Sequence, residues 1–211
     1  TSFAWIYNMV QGQVVIFMVI GLLACQLLAK RNNMALAAMV LVLTAFKPPL
    51  IIAPILYLLI IYGKKLWISI IVATIMIFIV CSAIFGLSIW QSYFEIMLFA
   101  SAQTEGGAAL KLMGNIRALL LLIAGENNLK IINLISILLL ATSIAASVAI
   151  SLWARNKNEK TQELAFGIII AISCLFSPWL HTHTLLLLVI PIGYLVKYRQ
   201  FTPTYIFVGG M

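Results

Sequence analysis

Long apolar runs, separated by short polar clusters, dominate the chain. The first run extends from Val14 to Ala29 and ends at Lys30-Arg31, and the run from Leu66 to Phe85 is as long as an ordinary transmembrane helix. Three later runs extend over Leu129–Trp153, from Glu163 or Leu164 to Phe176, and over Thr184–Val196. Because a backbone inside lipid must satisfy its own hydrogen bonds, these runs predict α-helices that cross a membrane several times.

Lys47-Pro48-Pro49 separates two shorter apolar runs, Met34–Phe46 and Leu50–Tyr62. Prolines remove backbone donors and force the preceding residue out of a helix. The segment is therefore either one kinked span or a hairpin of two short helices with Lys47 at its tip. The hairpin is favoured because it returns the chain to the side it left, which places Lys30-Arg31 beside Lys64-Lys65.

The pattern changes between residues 86 and 124. Trp90, Tyr93 and Phe94 alternate with polar residues, which predicts an amphipathic helix in the outer interface, followed by a flexible loop around Gly106-Gly107. The next apolar run, Ile116–Ala124, is too short to span and is predicted to lie in, or dip into, the same interface.

Composition and charge support this interpretation. Hydrophobic residues make up 64% of the 211 residues and charged residues 9%, and the mean hydropathy is +1.14. Soluble domains contain about 25% charged residues, so a soluble fold is excluded. The predicted fold class is an all-α, polytopic transmembrane helical bundle in which residues 1–211 form one membrane domain. The net charge of +8 lies in clusters between apolar runs, which indicates orientation in a membrane rather than nucleic-acid binding.

The basic residues divide unequally along the predicted path. Four fall on the predicted outer side: Lys47, Lys111, Arg117 and Lys130. Nine fall on the predicted cytoplasmic side: Lys30, Arg31, Lys64, Lys65, Arg155, Lys157, Lys160, Lys197 and Arg199. This is the bias expected from the positive-inside rule.

Other candidate chemistry is sparse. Cys25, Cys81 and Cys174 lie inside apolar runs without metal-ligand spacing, so they are interpreted as packing residues and no metal site is expected. Aspartate is absent and the chain has five glutamates. The catalytic residue is therefore left unassigned.

The predicted outer face collects polar and cationic residues near helix ends. They are Gln13, Lys47, Asn115, Arg117, His181 and His183. A lysine, a forked guanidinium and imidazole donors suit a phosphate or pyrophosphate group. Alternatives remain open: Lys47 can be a snorkelling lysine, Gln13 an ordinary interfacial residue, and the histidines merely hydrated. Spaced i and i+2, His181 and His183 point apart on a helix, whereas an extended segment presents both.

Several ordered local patterns resemble the integral-membrane glycosyltransferases of the GT-C superfamily, most closely glycosyltransferase family 87, whose members are similar to polyprenol-phosphate-mannose-dependent mannosyltransferases. The matching patterns are Gly12-Gln13, Leu43-Thr44-Ala45-Phe46-Lys47-Pro48, Lys64-Lys65-Leu66-Trp67, Asn115 with Arg117, and Ser177-Pro178-Trp179 with its histidines. The family pattern often reads Ser-Pro, two residues, Trp, one residue, His. Without a gap His183 takes the histidine place, and with a two-residue deletion His181 does.

The resemblance implies an enzyme that moves a hexose (mannose-like) or a pentose from a polyprenyl-phosphate donor to a glycan or glycolipid acceptor of the cell envelope. It implies a GT-C fold in a bacterial plasma membrane with the active face outward, no cofactor, and donor-phosphate contacts from Lys47, Arg117 and one histidine. The family's catalytic acid lies in the first outer loop. We expect the chain to be a C-terminal portion that lacks this loop and the helices before it.

The alternative class is a non-catalytic multipass transporter or flippase of lipid-linked precursors, which would also place cations on lipid phosphates. The sequence contains no internal inverted repeat and no charges deep in the spans, which argues against transport.

Overall fold

A computed structural model describes residues 15–45, 48–102, 116–125, 128–177 and 182–198. Within these residues the chain is helical and contains no strand, which confirms the all-α prediction. The described helices are α1 (Val15–Lys30), α2 (Met34–Leu43), α3 (Pro48–Tyr62), α4 (Lys64–Phe85), α5 (Ser88–Ala102), α6 (Ile116–Ala124), α7 (Leu129–Ala154), α8 (Glu159–Phe176), a 3-10 helix (Thr182–Leu188) and α9 (Val189–Lys197).

One end of the bundle, which we call the basic end, collects most of the described cations. Lys30 at the end of α1 pairs with Glu159 at the start of α8, and Lys197 at the end of α9 pairs with Glu163. Asn32 lines a pocket together with Lys65, so the starts of α2 and α4 lie there too. The lysines and arginines of this end are Lys30, Arg31, Lys64, Lys65, Arg155, Lys157, Lys160 and Lys197. We call the other end the opposite end.

The region around Lys47 follows the hairpin prediction. Helices α2 and α4 both begin at the basic end, so α3, which lies between them in the chain, runs back to that end. The two arms separate, however: α2 packs against α1 and α4, whereas α3 packs mainly against α7 and α8. Pro48 opens α3, a position where its missing N–H breaks no helical hydrogen bond. Residues 46 and 47 lie outside the described residues.

The turn between α1 and α2 is built by two asparagines. Asn32 adopts a left-handed φ of 59°, which asparagine tolerates better than most residues. The N–H of Asn32 donates to the carbonyl oxygen of Ala29 at 2.9 Å, and that of Asn33 to Leu28 at 2.9 Å, which is the Schellman pattern of a helix end. The Asn33 side chain then accepts from the N–H of Leu36 at 3.4 Å and caps α2.

Close helix contacts hold the bundle together. A Cβ on Gly21 in α1 would lie 1.8 Å from the Thr44 hydroxyl oxygen, so only glycine fits where α1 meets the end of α2. Between α3 and α8, the buried Tyr57 ring stacks on Phe166 at 5.1 Å, and its hydroxyl donates to the carbonyl oxygen of Gln162 at 2.6 Å. A buried hydroxyl with such a partner avoids the cost of an unsatisfied donor.

Within the described part of the chain, two helices are long and apolar enough to cross a membrane. They are α4, Lys64–Phe85, and Lys130–Ala154 of α7. In the most apolar 18-residue stretch of each helix, only 6% (α4) and 22% (α7) is buried. Their apolar side chains therefore point outward, unlike those of the core helix of a soluble protein. Twenty-two residues of helix extend about 33 Å, close to the roughly 30 Å hydrocarbon core of a bilayer. The runs predicted as Leu66–Phe85 and Leu129–Trp153 are therefore confirmed to within two residues.

Helix α5 corresponds to the amphipathic helix predicted after residue 86. It folds back onto the end of α4, where the Trp90 ring stacks on Phe78 at 4.9 Å and its N–H donates to the Ser82 hydroxyl at 2.8 Å. The predicted loop around Gly106-Gly107 lies outside the described residues.

Candidate functional site

The structure describes two of the six predicted site residues, and it describes the side chain of one of them. Arg117 lies in the first turn of α6, with a described side chain. His183 lies in the 3-10 helix, and its side chain is not among those described. Four fall outside the described residues: Gln13, Lys47, Asn115 and His181. The structure therefore gives side-chain contacts for Arg117 alone, and the roles of the other five stay predictions.

The described elements that border these residues come together at the opposite end. Helix α1 begins there at Val15, α3 at Pro48, and the 3-10 helix at Thr182. Helix α6 also lies towards this end, because Arg117 contacts Asn133, which is five residues into α7. The described segments that follow Gln13, Lys47, Asn115 and His181 therefore begin at, or lie towards, this one end of the bundle.

Arg117 is held by an amide. Its Nε and Nη2 both donate to Oδ1 of Asn133, at 3.2 and 3.0 Å, and both side chains are half-buried. No described carboxylate forms a salt bridge with it. Burial lowers the pKa of the guanidinium, but an arginine stays protonated in proteins. The fork is thus fixed in direction and charged, and among the described residues only two of its five N–H groups have a partner.

The proline break near the histidines is confirmed. Helix α8 ends at Phe176, and the N–H of the buried Ser177 donates to the carbonyl oxygen of Ser173 at 3.0 Å. The residue before a proline is disfavoured in a helix, which accounts for the end at this point. The chain resumes as a 3-10 helix from Thr182, so His183 is helical, while the geometry of the pair with His181 stays open.

The structure also shows an ion cluster around one buried carboxylate, which the sequence reasoning missed. Glu163, only 3% exposed, accepts from Lys30, from Lys197 Nζ at 2.6 Å and from the Tyr198 hydroxyl at 2.7 Å. Lys30 also pairs with Glu159 at 2.8 Å. We call these five residues the Glu163 cluster. Its signal in the sequence was weak, because Glu163 resembled only the polar boundary of an apolar run.

The Glu163 cluster ties α1, α8 and α9 together at the basic end. Burial acts to raise the pKa of Glu163, but hydrogen bonds from Lys197, Lys30 and Tyr198 outweigh it and lower the pKa to about 2. A carboxylate this acidic, with its oxygens occupied by three donors, is a poor general base near neutral pH. The cluster is therefore structural rather than catalytic.

The described side chains contain no group of three or more His, Cys, Asp or Glu residues arranged to hold an ion. Cys25 and Cys174 are buried and Cys81 half-buried, all as free thiols, in line with their interpretation as packing residues.

Comparison with known proteins assigns a family. A model of glycosyltransferase family 87 matches residues 2–178, well over half of the 211 residues. No curated protein and no solved structure matches the chain. The match includes Gln13, Lys47, Asn115 and Arg117, and it ends at Pro178, before both histidines. Members of this family are membrane proteins, which agrees with the outward-facing apolar helices. The chain belongs to glycosyltransferase family 87 and is a membrane glycosyltransferase.

Proposed function

We propose that this glycosyltransferase moves a hexose (mannose-like) or a pentose from a polyprenyl-phosphate donor to a glycan or glycolipid acceptor, at the opposite end of the bundle. The observation that carries the proposal is Arg117, a half-buried guanidinium oriented by Asn133 without a described carboxylate partner. A fixed guanidinium fork binds phosphate oxygens with two parallel hydrogen bonds. An amide neutralises no charge, so nothing among the described residues offsets the positive charge of Arg117, which we assign to the donor phosphate.

The proposed reaction places the developing charge on the donor. As the bond between the sugar's anomeric carbon and the phosphate oxygen breaks, its electron pair stays on that oxygen, and polyprenyl phosphate leaves. Arg117, Lys47 and one of His181 and His183 stabilise this charge, and donors arranged in advance do so best. Gln13 and Asn115 contribute polar contacts to the same substrate. The acceptor hydroxyl oxygen forms the new bond and passes its proton to a general base that we leave unassigned.

Charge bias supports an outward active face. Eight described lysines and arginines lie at the basic end, against Arg117 and Lys130 towards the opposite end. Under the positive-inside rule the basic end faces the cytoplasm. We therefore propose that transfer takes place on the non-cytoplasmic face of a bacterial plasma membrane, and that residues 1–211 act as one membrane domain.

The proposal is tested with the full-length protein in proteoliposomes supplied with radiolabelled polyprenyl-phosphate mannose, or a pentose analogue, and membrane acceptors. We expect a labelled product, and a loss of rate on the order of 100-fold in Lys47→Ala and in one of His181→Ala and His183→Ala. The matched control is Lys130→Ala, which removes an exposed cation near the same end and should leave the rate unchanged.

Two outcomes contradict the proposal. If no donor yields a labelled product, but labelled lipid moves across the bilayer, the protein is a flippase instead. If a product forms at the wild-type rate in Lys47→Ala and in both histidine variants, those residues do not bind the donor.

A further inference from the structure

A second candidate ligand site lies at the basic end, far along the chain from Arg117. It is a surface pocket of about 460 Å³ between the α1–α2 turn and the first turns of α4. Its polar wall is formed by Asn32, Asn33, Lys65 and Ser69. These side chains offer an ammonium group, two amides and a hydroxyl, all of which can donate to an anion.

The charge around this pocket is unbalanced. Arg31, Lys64 and Lys65 are exposed, and none forms a salt bridge with a described carboxylate. Lys30 and Lys197, at the same end, are instead paired within the Glu163 cluster. Asn32 contributes to the helix-end pattern through its backbone N–H. Its side chain makes no hydrogen bond to a described residue. The region of the pocket therefore keeps an excess of positive charge.

The other wall of the pocket is apolar and continues onto the outer face of α4. Ile68 lines the pocket and is 51% exposed. Ile71, Val72 and Ile75 follow it along the helix, and each is at least 50% exposed. Since α4 is long and apolar enough to span a membrane, this strip lies where acyl chains would run. A cationic, hydrogen-bonding pocket above an apolar strip matches the two halves of a phospholipid.

We infer that this pocket binds the headgroup of an anionic phospholipid, with the phosphate at Lys65, the headgroup hydroxyls at Asn32, Asn33 and Ser69, and an acyl chain along α4. Basic pockets between transmembrane helices on the cytoplasmic side recognise such headgroups, and each nearby lysine or arginine contributes on the order of a fivefold gain in affinity. The site is separate from the proposed donor site, and it does not rest on the proposed function.

The test measures which lipid the purified full-length protein retains. Protein in non-ionic detergent is equilibrated with equal amounts of phosphatidylglycerol and phosphatidylcholine with identical acyl chains, and bound lipid is counted by native mass spectrometry. We expect phosphatidylglycerol to be preferred, and the preference to fall about fivefold in Lys65→Ala. Ala35→Trp, which fills the pocket without changing charge, should lower the preference similarly.

The matched control is Arg155→Ala, which removes an exposed charge from the same end but outside the pocket and should keep the preference. Thermal unfolding of each variant checks its fold, and Lys65→Glu replaces Ala35→Trp if the latter does not fold. The inference is overturned if the wild type retains both lipids equally. It is also overturned if Arg155→Ala lowers the preference for phosphatidylglycerol as much as Lys65→Ala does, because this indicates diffuse attraction. Displacement of the bound lipid by millimolar inorganic phosphate likewise overturns it, because this indicates a site for free anions.

Discussion

The two ends of the bundle use their cations differently. At the basic end, Lys30 and Lys197 converge on Glu163, whose side chain is 4% exposed. At the opposite end, Arg117 is held by the neutral Asn133, without a described carboxylate. Both arrangements fix a long side chain through short polar contacts, but among the described residues only the first neutralises the charge of that side chain.

We interpret this difference as one between charge that stabilises the fold and charge that is proposed to bind the donor. A buried ion pair holds helices in register, and its loss leaves a charge without compensation. A half-buried cation without a counter-ion lowers stability, so it is retained where a ligand uses it. The Glu163 cluster should therefore act on the free energy of unfolding, and Arg117 on the rate of sugar transfer.

The largest expected effect is on catalysis. Arg117→Ala should lower the transfer rate at saturating donor by about 100- to 1000-fold, the loss typical of removing one donor to a developing oxyanion. The rate is measured with radiolabelled donor in proteoliposomes. Lys130→Ala is the control and should keep the wild-type rate; if both variants lose activity equally, Arg117 has no specific role.

The next largest effect is on stability. Glu163→Gln should lower the free energy of unfolding by about 3 kcal/mol, because two lysines lose a buried counter-ion. The measurement is unfolding by dodecyl sulfate in mixed micelles. Glu159 also pairs with Lys30, but its side chain is 67% exposed. Glu159→Gln should therefore lower the free energy of unfolding by less than about 1 kcal/mol. Equal losses in the two variants would show that burial of Glu163 contributes nothing.

Acid should weaken the basic end selectively. The pKa of Glu163 is lowered to about 2 from 4.5, so its contribution is fully present above the unfolded-state pKa and is lost as the pH falls towards 2. Between pH 5 and pH 3 the wild type should lose about 2 kcal/mol more than Glu163→Gln. The same unfolding titration at both pH values measures this, and parallel losses in the two proteins would refute the charge assignment.

The smallest expected effect concerns the orientation of Arg117. Asn133→Ala should lower kcat/KM for the donor by about tenfold, because the guanidinium fork is no longer fixed. In the Arg117→Ala background the same substitution should have no further effect, since it acts only through Arg117. Additive losses in the double variant would mean that Asn133 acts independently.

Local features of the fold were predictable from the sequence. The length of an apolar run is a local signal, and the predicted Leu129–Trp153 became α7, Leu129–Ala154. The return of the chain at Lys47-Pro48-Pro49 followed from proline chemistry together with the charges that flank the two short runs. The sequence did not show that α2 and α3 would pack against different helices, because packing partners depend on side chains far away in the chain.

Contacts between distant residues were the main omission. The Glu163 cluster joins residues 133 positions apart in α1 and α8, and no local pattern marks such a pair. Asn133 lies inside an apolar run, and its contact with Arg117 was not predicted, although a polar residue in such a run needs a partner. Arg117 was singled out because cations beside helix ends stand out in an apolar sequence, and its role in the reaction stays a prediction. The choice between His181 and His183 stays a prediction.

If Arg117 serves the reaction whereas Glu163 serves the fold, one paired measurement separates the two roles. Transfer rate and free energy of unfolding are measured on the same preparations of Arg117→Ala and Glu163→Gln, at a temperature where both remain folded. We expect Arg117→Ala to lose transfer but keep most of its stability, and Glu163→Gln to lose stability but keep its transfer rate per folded molecule. The reverse pattern, or equal effects of both variants on both quantities, would contradict this division of roles.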